Sequence, residues 1–491
     1  MIKATGSLSS GSDDLSTEVM MDRSLARDAA FDGRFLTGVV TTGIYCIASC
    51  PARKPNPSNI RFFRTEAEAR QAGLRACRRC RPDDYFRKYD PDADLMESLV
   101  AEVDKGPAAF SSVADLVGRS GVGTSKLHEL FRAHYHTTPA MFLRDHRIEH
   151  ASKQLLHTRR SLLDVAAAAG FESPSAFHAN FNRHQRLTPA EYRALGRRST
   201  FALKLPSSYR ADLTIQSFGR DPSSVSERLT GRVMEKAVMV GGTPALLQIE
   251  LGQKEARCSI ISSPRLSADA MALAHRMILR VLGLRSDPGP FESMLRKAGM
   301  GALMGDRSGL RVTHTATVYE SLLWAIVGQQ VNLSFAFKMR RAVLERWGTP
   351  IEGLYAHPDP ARIAGIDYSQ LLKLQFSRSK AEYLIDVSRK IAAGDLQVER
   401  FPSMRAPAVR DLLLGIRGVG VWSANYVMMR GCGFGDCVPA GDTGLGSGLQ
   451  KFFELKNRPS PAETATLMCT FAPYRSLATF HLWMFNRAAE S

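Results

Sequence analysis

Apolar positions fall at two periods along the chain, and the switches between them divide it. Over 111–184 they recur at helical spacing. Short helices are predicted over 111–119 and 125–135, a long one over 139–157, and a second short pair over 162–169 and 173–184, with turns at Gly121-Val122-Gly123 and Gly170-Phe171. Leu127, Leu130, Phe131, Phe177 and Phe181 are the predicted core of these pairs. From 201 the pattern changes, and strands are predicted over 201–205, 213–218, 233–240, 246–251 and 258–261, then a helix over 268–282. Helical spacing returns at Val318, with Leu322, Leu323, Ile326, Val327, Val331 and Phe335 on one face.

At 412–424 the run Leu-Leu-Leu-Gly-Ile-Arg-Gly-Val-Gly-Val-Trp-Ser-Ala predicts a helix, a tight Gly-Val-Gly turn and a second helix. Gly418 and Gly420 let the backbone turn and leave N–H groups at a helix start, where a phosphate oxygen is well received. Further on, Pro-Ala-Gly-Asp-Thr-Gly-Leu at 439–445 sets Asp442 in a loop opening onto a helix, either as an N-cap or as an acid with chemistry to do.

Charge narrows the partners. The 491 residues are 44% hydrophobic and 23% charged, ordinary for globular domains, but 65 Lys and Arg against 48 Asp and Glu leave +17. Such a surplus suits a polyanion, nucleic acid before all others. The N-terminus up to Ser16 is polar and Ser/Gly-rich, and no apolar run approaches the roughly 18–20 residues of a membrane helix. No membrane partner and a cytoplasmic, nucleoid-associated location are therefore expected.

Eight cysteines are too few for a disulfide framework. Cys258, Cys432, Cys437 and Cys469 are scattered, whereas Cys46, Cys50, Cys77 and Cys80 form two close pairs that a folded loop can bring onto one Zn²⁺. By spacing alone the site is either a structural zinc ribbon or a reactive centre. The surroundings are basic (Arg53, Lys54, Arg61, Arg64, Arg70, Arg75, Arg78, Arg79, Arg81), as a DNA-facing surface would be, and four thiolates on one Zn²⁺ stay electron-rich.

Thr-Thr-Gly-Ile-Tyr-Cys-Ile-Ala-Ser-Cys at 41–50, with Arg-Ala-Cys-Arg-Arg-Cys-Arg-Pro-Asp at 75–83, resembles the N-terminal domain of the bacterial adaptive-response protein Ada. The resemblance implies that Cys46 accepts a methyl group from a DNA methyl phosphotriester, irreversibly. It also implies that Cys50, Cys77 and Cys80 complete the metal site, and that Thr42, Arg53 and Arg75 contact DNA. Val40 departs from it, standing where that family has Arg. The two helical pairs, with Ala-Ala-Gly-Phe-Glu-Ser-Pro-Ser-Ala-Phe at 168–177 and Leu-Thr-Pro-Ala-Glu-Tyr at 187–192, resemble the AraC-type double helix-turn-helix. Ser125, Lys126, His128 and Arg132 of the first recognition helix, and Ser175, His178, Asn182 and Arg183 of the second, then face DNA. For His128 and His178 a base contact and a merely exposed side chain are equally open. The Pro-Cys-His-Arg mark of an O6-methylguanine methyltransferase domain does not occur.

Residues 201–488 resemble the AlkA-type 3-methyladenine glycosylases of the helix-hairpin-helix superfamily. The marks are the hairpin, Ala-Ile-Val-Gly-Gln-Gln-Val at 325–331 and Tyr-Arg-Ser-Leu-Ala-Thr-Phe-His-Leu-Trp at 474–483. The resemblance makes Asp442 the catalytic carboxylate and Trp422, Tyr426 and Trp483 the aromatic base pocket, although Tyr426 could equally be hairpin core. Gln329 and Gln330 fall where the flipped base leaves its gap, and Gln330 stands where that family has an apolar wedge. Bifunctional relatives carry Lys at the Trp422 position, so a monofunctional hydrolase without strand cleavage is expected.

The expected fold class is α+β multidomain. A flexible terminus (1–18) leads into a Cys₄ zinc domain (19–90) and an all-α double helix-turn-helix domain (91–198). An α+β subdomain (199–285) and an all-α helix-hairpin-helix glycosylase domain (286–491) follow, the fragment 201–491 being expected to excise bases alone. The expected partners are double-stranded DNA with alkylated bases and methyl phosphotriesters, promoter DNA, and RNA polymerase. The rival reading is a sequence-specific transcription regulator whose glycosylase half binds DNA without activity.

Overall fold

The computed structural model describes residues 15–28, 31–86 and 89–488. Most of the predicted flexible terminus lies outside them. The chain divides into two compact units, 1–98 and 99–491.

In the first unit, strands β1 (Leu36–Val39), β2 (Ile44–Cys46), β3 (Ile60–Phe63) and β4 (Arg75–Ala76) form a sheet of order β3-β1-β2-β4. β2 and β4 run parallel, with Ile44 opposite Arg75 and Tyr45 opposite Ala76. That pairing joins the two cysteine pairs: Cys46 ends β2, Cys77 follows β4, and the Cys77 N–H donates to the Tyr45 carbonyl at 2.9 Å. Tyr45 is fully buried beneath, its hydroxyl held by Asp83 and Arg70.

In the second unit the helical pairs fall close to where the pattern puts them: Val113–Ser120 and Thr124–Tyr135, the long helix Pro139–His157, then Leu162–Ala168 and Pro174–Gln185. Ser112, with a capping box to Asp115, and Ser173 start helices at the positions their side chains favour. Phe131, Phe177 and Phe181 are fully buried, as expected of core.

The α+β region is one antiparallel sheet of order β5-β9-β8-β7-β6: β5 (Thr200–Lys204), β6 (Glu227–Thr230), β7 (Val233–Val240), β8 (Thr243–Leu251) and β9 (Glu255–Ser262), followed by the helix Ala268–Val281. One predicted strand is wrong. Residues 213–218 belong to the helix Ala211–Phe218, whose N-cap Arg210 makes no capping bond and pairs with Asp212 at 2.6 Å. An apolar run this short fits either period. The missing strand is β6, an edge strand whose residues are mostly exposed and therefore carry no apolar alternation.

The helix-turn-helix region and the sheet share a core. Ile148, Ala151 and Leu155 of the long helix and Phe177 and Phe181 of Pro174–Gln185 share one buried cluster with Leu203 of β5, Met234 and Val238 of β7, and Ile278. His275 sits in this seam, its Nε2 2.9 Å from the Gln185 carbonyl oxygen and its ring edge-on to Tyr192. Residues 201–491 are thus one side of a core whose other side lies in the helix-turn-helix region. Hydrophobic periodicity shows that a face is buried, not what buries it.

The run from Val318 is two helices, Val318–Val327 and Leu333–Trp347, the second restarted by an Asn332 N-cap. The predicted hairpin is Ala406–Leu414, a turn, and Val421–Tyr426, which passes into a π-helical turn at Val427–Cys432. None of the described helices is long and apolar enough to cross a membrane.

Candidate metal centre and candidate active site

The Sγ atoms of Cys46, Cys50, Cys77 and Cys80 all lie within 4.8 Å of one another. Four soft sulfur donors so gathered fit a tetrahedral Zn²⁺. Cys50 and Cys77 are buried, whereas Cys46 and Cys80 are partly open to solvent. Hydrogen bonding among the crowded thiols pushes Cys46 well above the ordinary thiol range and pulls Cys50 below it. Around the centre, Thr42 is exposed in the β1–β2 turn, and Arg75 is exposed on β4 with its N–H on the Gly43 carbonyl at 2.8 Å. Arg53 is exposed in the loop after Cys50. Val40 is 50% exposed, an apolar side chain on that turn.

On the recognition helices Ser125, Arg132, Ser175, His178 and Arg183 are exposed, while Lys126 is partly buried and pairs with Glu129 at 3.2 Å. His178 packs edge-on to the Phe177 ring.

Asp442 is a helix N-cap, the first of its two sequence readings. It is the N-cap of the helix Thr443–Phe452, its Oδ1 accepting from the Leu445 N–H at 2.8 Å. The same carboxylate accepts two indole N–H donors, Trp483 Nε1 on Oδ1 at 2.8 Å and Trp422 Nε1 on Oδ2 at 3.1 Å. Trp422 stacks on Tyr426, ring centroids 5.5 Å apart and 23° from parallel. Tyr426 is buried, which raises its phenol above its ordinary range. An acid and three aromatic rings from three separated segments therefore meet.

Gly418 turns the hairpin at φ 86°, and a Cβ there would lie 2.1 Å from the Tyr383 ring. Gly420 has φ −90° and open space around it. It begins Val421–Tyr426 with no side-chain cap, so no side chain competes for the amides there. Gln329 stands against this turn: its Nε2 donates to the Gly418 carbonyl at 2.7 Å and to Ser423 Oγ at 3.1 Å. Gln330 is exposed with φ 52°, a left-handed backbone.

Sequence reasoning missed what lies beyond Tyr426. A cavity of about 110 Å³ is walled by Tyr426, Trp324 and a cluster of charged residues from five separate segments. Lys236 bridges Glu227 (2.6 Å) and Glu320 (2.8 Å), and Arg340 bridges Asp221 and Glu227 (3.2 Å each). Burial alone would raise Glu227, but Lys236 and Arg340 hold it well below the carboxylate range. Burial lowers His357 to about 4. Glu227 and Glu320 are far apart in sequence, and no local pattern announces them.

The metal-binding domain of Ada matches residues 20–83, a helix-turn-helix domain residues 116–195, and the HhH-GPD superfamily of base excision DNA repair proteins residues 323–473. Among individual proteins, the chain is 28% identical over 485 residues to the "Probable bifunctional transcriptional activator/DNA repair enzyme AlkA" of Mycobacterium tuberculosis, covering 93% of this chain and 94% of that one. It is 25% identical over 288 residues to a DNA-3-methyladenine glycosylase of Bacillus subtilis, 57% of this chain and 95% of the relative. The 3-methyladenine DNA-glycosylase from Archaeoglobus fulgidus superposes with a TM-score of 0.52 at 17% identity over 58% of this chain and 98% of its own, a likeness of fold. The chain is thus a fusion that joins, in order, a zinc-binding domain of the Ada family, a helix-turn-helix DNA-binding domain and a domain of the HhH-GPD superfamily of base excision DNA repair proteins.

Proposed function

We propose that the chain excises alkylated purines, 3-methyladenine and 7-methylguanine, from double-stranded DNA by hydrolysing the N-glycosidic bond, and that its zinc domain accepts methyl groups from methyl phosphotriesters to regulate promoters of the adaptive response. The observation that carries the first part is the Asp442 carboxylate held by two indole N–H groups beside the stacked Trp422–Tyr426 pair. Alkylation at N3 or N7 makes the purine cationic and its glycosidic bond weak. Flipped out of the duplex, such a base stacks on electron-rich rings. As the C1′–N bond breaks, the bonding pair leaves with the base, which departs neutral. The Asp442 carboxylate stabilises the oxocarbenium-like sugar until water adds at C1′ and gives up a proton. With Trp422 where a Schiff-base lysine would stand, the product is an intact strand bearing an abasic site.

In the zinc domain, Cys46 and Cys80 are the two partly open sulfurs, and the resemblance to the Ada domain selects Cys46 for attack. Zn²⁺, when bound, keeps its sulfurs deprotonated and nucleophilic. The Cys46 S–CH₃ bond forms as the methyl C–O bond breaks, and the phosphodiester leaves as an anion. Methylation removes about one negative charge from a surface facing phosphate, so promoter affinity rises and recruitment of RNA polymerase follows. The test is the intact protein on methylated duplex, scored for free base, strand cleavage and label on Cys46. Released base, uncut strands and a methylated Cys46 are expected. Label on DNA alone would remove the zinc domain from repair, and no released base would leave the second unit a DNA-binding module.

A further inference from the structure

We infer that the cavity beyond Tyr426 reads the hydrogen-bonding edge of the flipped purine, with Arg430 and His357 as its specificity-determining residues. The inference rests on the glycosylase reading of the same site. Tyr426 belongs both to the stacked pair beside Asp442 and to the cavity wall, so a base seated against it looks into this space. On the measure by which one water needs roughly 10–15 Å³, the cavity's 110 Å³ admits a planar heterocycle.

The helix changes character at this wall. Immediately after Tyr426 it widens into the π turn Val427–Cys432, which carries Arg430. Such turns recur at functional sites because they redirect side chains without ending the helix. The turn is locked in place: Gly431 has no room for a Cβ, which would meet Ser321 Oγ at 2.0 Å, and the Arg430 carbonyl accepts from the Thr315 N–H at 3.0 Å.

Most of the polar wall is already satisfied. Lys236, Arg340, Glu227, Glu320 and Asp221 pair with one another, which fixes the wall and leaves it no reason to rearrange. Two buried atoms lining the cavity stand apart: Arg430 Nε and His357 Nε2 find no hydrogen-bond partner among the described residues. His357 is only 9% exposed. Buried groups left so are uncommon and costly, and a ligand that satisfies them is favoured over one that does not.

Their chemistry selects the ligand. The Arg430 Nε–H only donates, and a neutral imidazole offers one acceptor nitrogen. A purine presenting a ring nitrogen or carbonyl oxygen to Arg430 and an amino or ring N–H to His357 satisfies both. The ring N7 (acceptor) and the N6 amino group (donor) of adenine alkylated at N3 provide that pair, as do the O6 and N1–H of guanine alkylated at N7.

The test uses the full chain with Arg430→Met, His357→Leu and His357→Gln. Single-turnover release of 3-methyladenine and 7-methylguanine is measured, together with affinity for the same duplex carrying a tetrahydrofuran abasic site. Arg430→Met and His357→Leu are expected to lower release by about tenfold or more and to shift the ratio of the two bases. Abasic-site affinity, which needs no base in the pocket, should hold within about twofold, and His357→Gln should recover part of the rate. Unchanged release of both bases by both variants, or a matching loss of abasic-site binding, overturns the inference while leaving the glycosylase reading intact. A wild-type chain that releases neither base overturns both.

Discussion

The side-chain amide of Gln329 donates to the Gly418 carbonyl at 2.7 Å, tying the end of one helix to the turn of the hairpin. A second bond to Ser423 Oγ completes the clamp. Gln329→Ala removes both and leaves a partly buried carbonyl to find water. Each bond is worth about 1 kcal/mol, so affinity for undamaged duplex should fall by roughly five- to thirtyfold, with the rate of base release from saturated enzyme less affected. A titration of Gln329→Ala with duplex DNA checks this, and wild-type affinity would show that the clamp does not govern the hairpin's grip.

The two hairpin glycines should respond oppositely. Gly418→Ala places a methyl group against the Tyr383 ring and forces a left-handed φ on a residue that resists it. It should cost at least about 1–3 kcal/mol of stability and most DNA binding. Gly420→Ala meets open space at an ordinary φ and should unfold within about 1 kcal/mol of wild type. Thermal melts of the two variants side by side decide the point.

Because one core crosses from the helix-turn-helix region into the sheet, truncation should be costly. A fragment 201–491 takes Ile148, Leu155 and Phe181 out of the cluster that holds Leu203, Met234, Val238 and Ile278, and should aggregate or melt well below a fragment 99–491. Equal melting temperatures for the two fragments would show that the shared cluster contributes little.

Burial holds His275 and His314 near 3 and His357 near 4, below the ordinary 6.5. In the unfolded chain these side chains take up protons that the folded chain refuses. Stability is therefore full above about 6.5 and falls as pH drops toward 4, by about 1.4 kcal/mol per pH unit for each histidine that titrates only when unfolded. Urea midpoints measured between pH 7 and pH 4.5 should decline steadily, and a flat series would mean that these histidines protonate in place.

How much was legible in the sequence depends on how local each feature is. The four cysteines, the hairpin and Asp442 sit in short runs whose spacing carries their chemistry, and the structure brings Asp442 to Trp422 and Trp483. Residues 213–218 misled because six residues cannot separate a period of two from one of 3.6. The charged wall was invisible for a different reason. Lys236 of β7 meets Glu320 of the helix Val318–Val327 across 84 positions of sequence, through the fold of the whole domain.

The most direct test of the account is base release by Asp442→Asn from duplex carrying 3-methyladenine. Asn caps a helix as well as Asp does, so the helix Thr443–Phe452 and the fold should persist. The substitution removes the negative charge that the oxocarbenium-like sugar needs and leaves the surfaces that hold DNA. A fall in kcat of at least about a hundredfold is expected, with affinity for abasic-site duplex within a few-fold of wild type. Release at the wild-type rate would contradict it and take the chemistry away from Asp442.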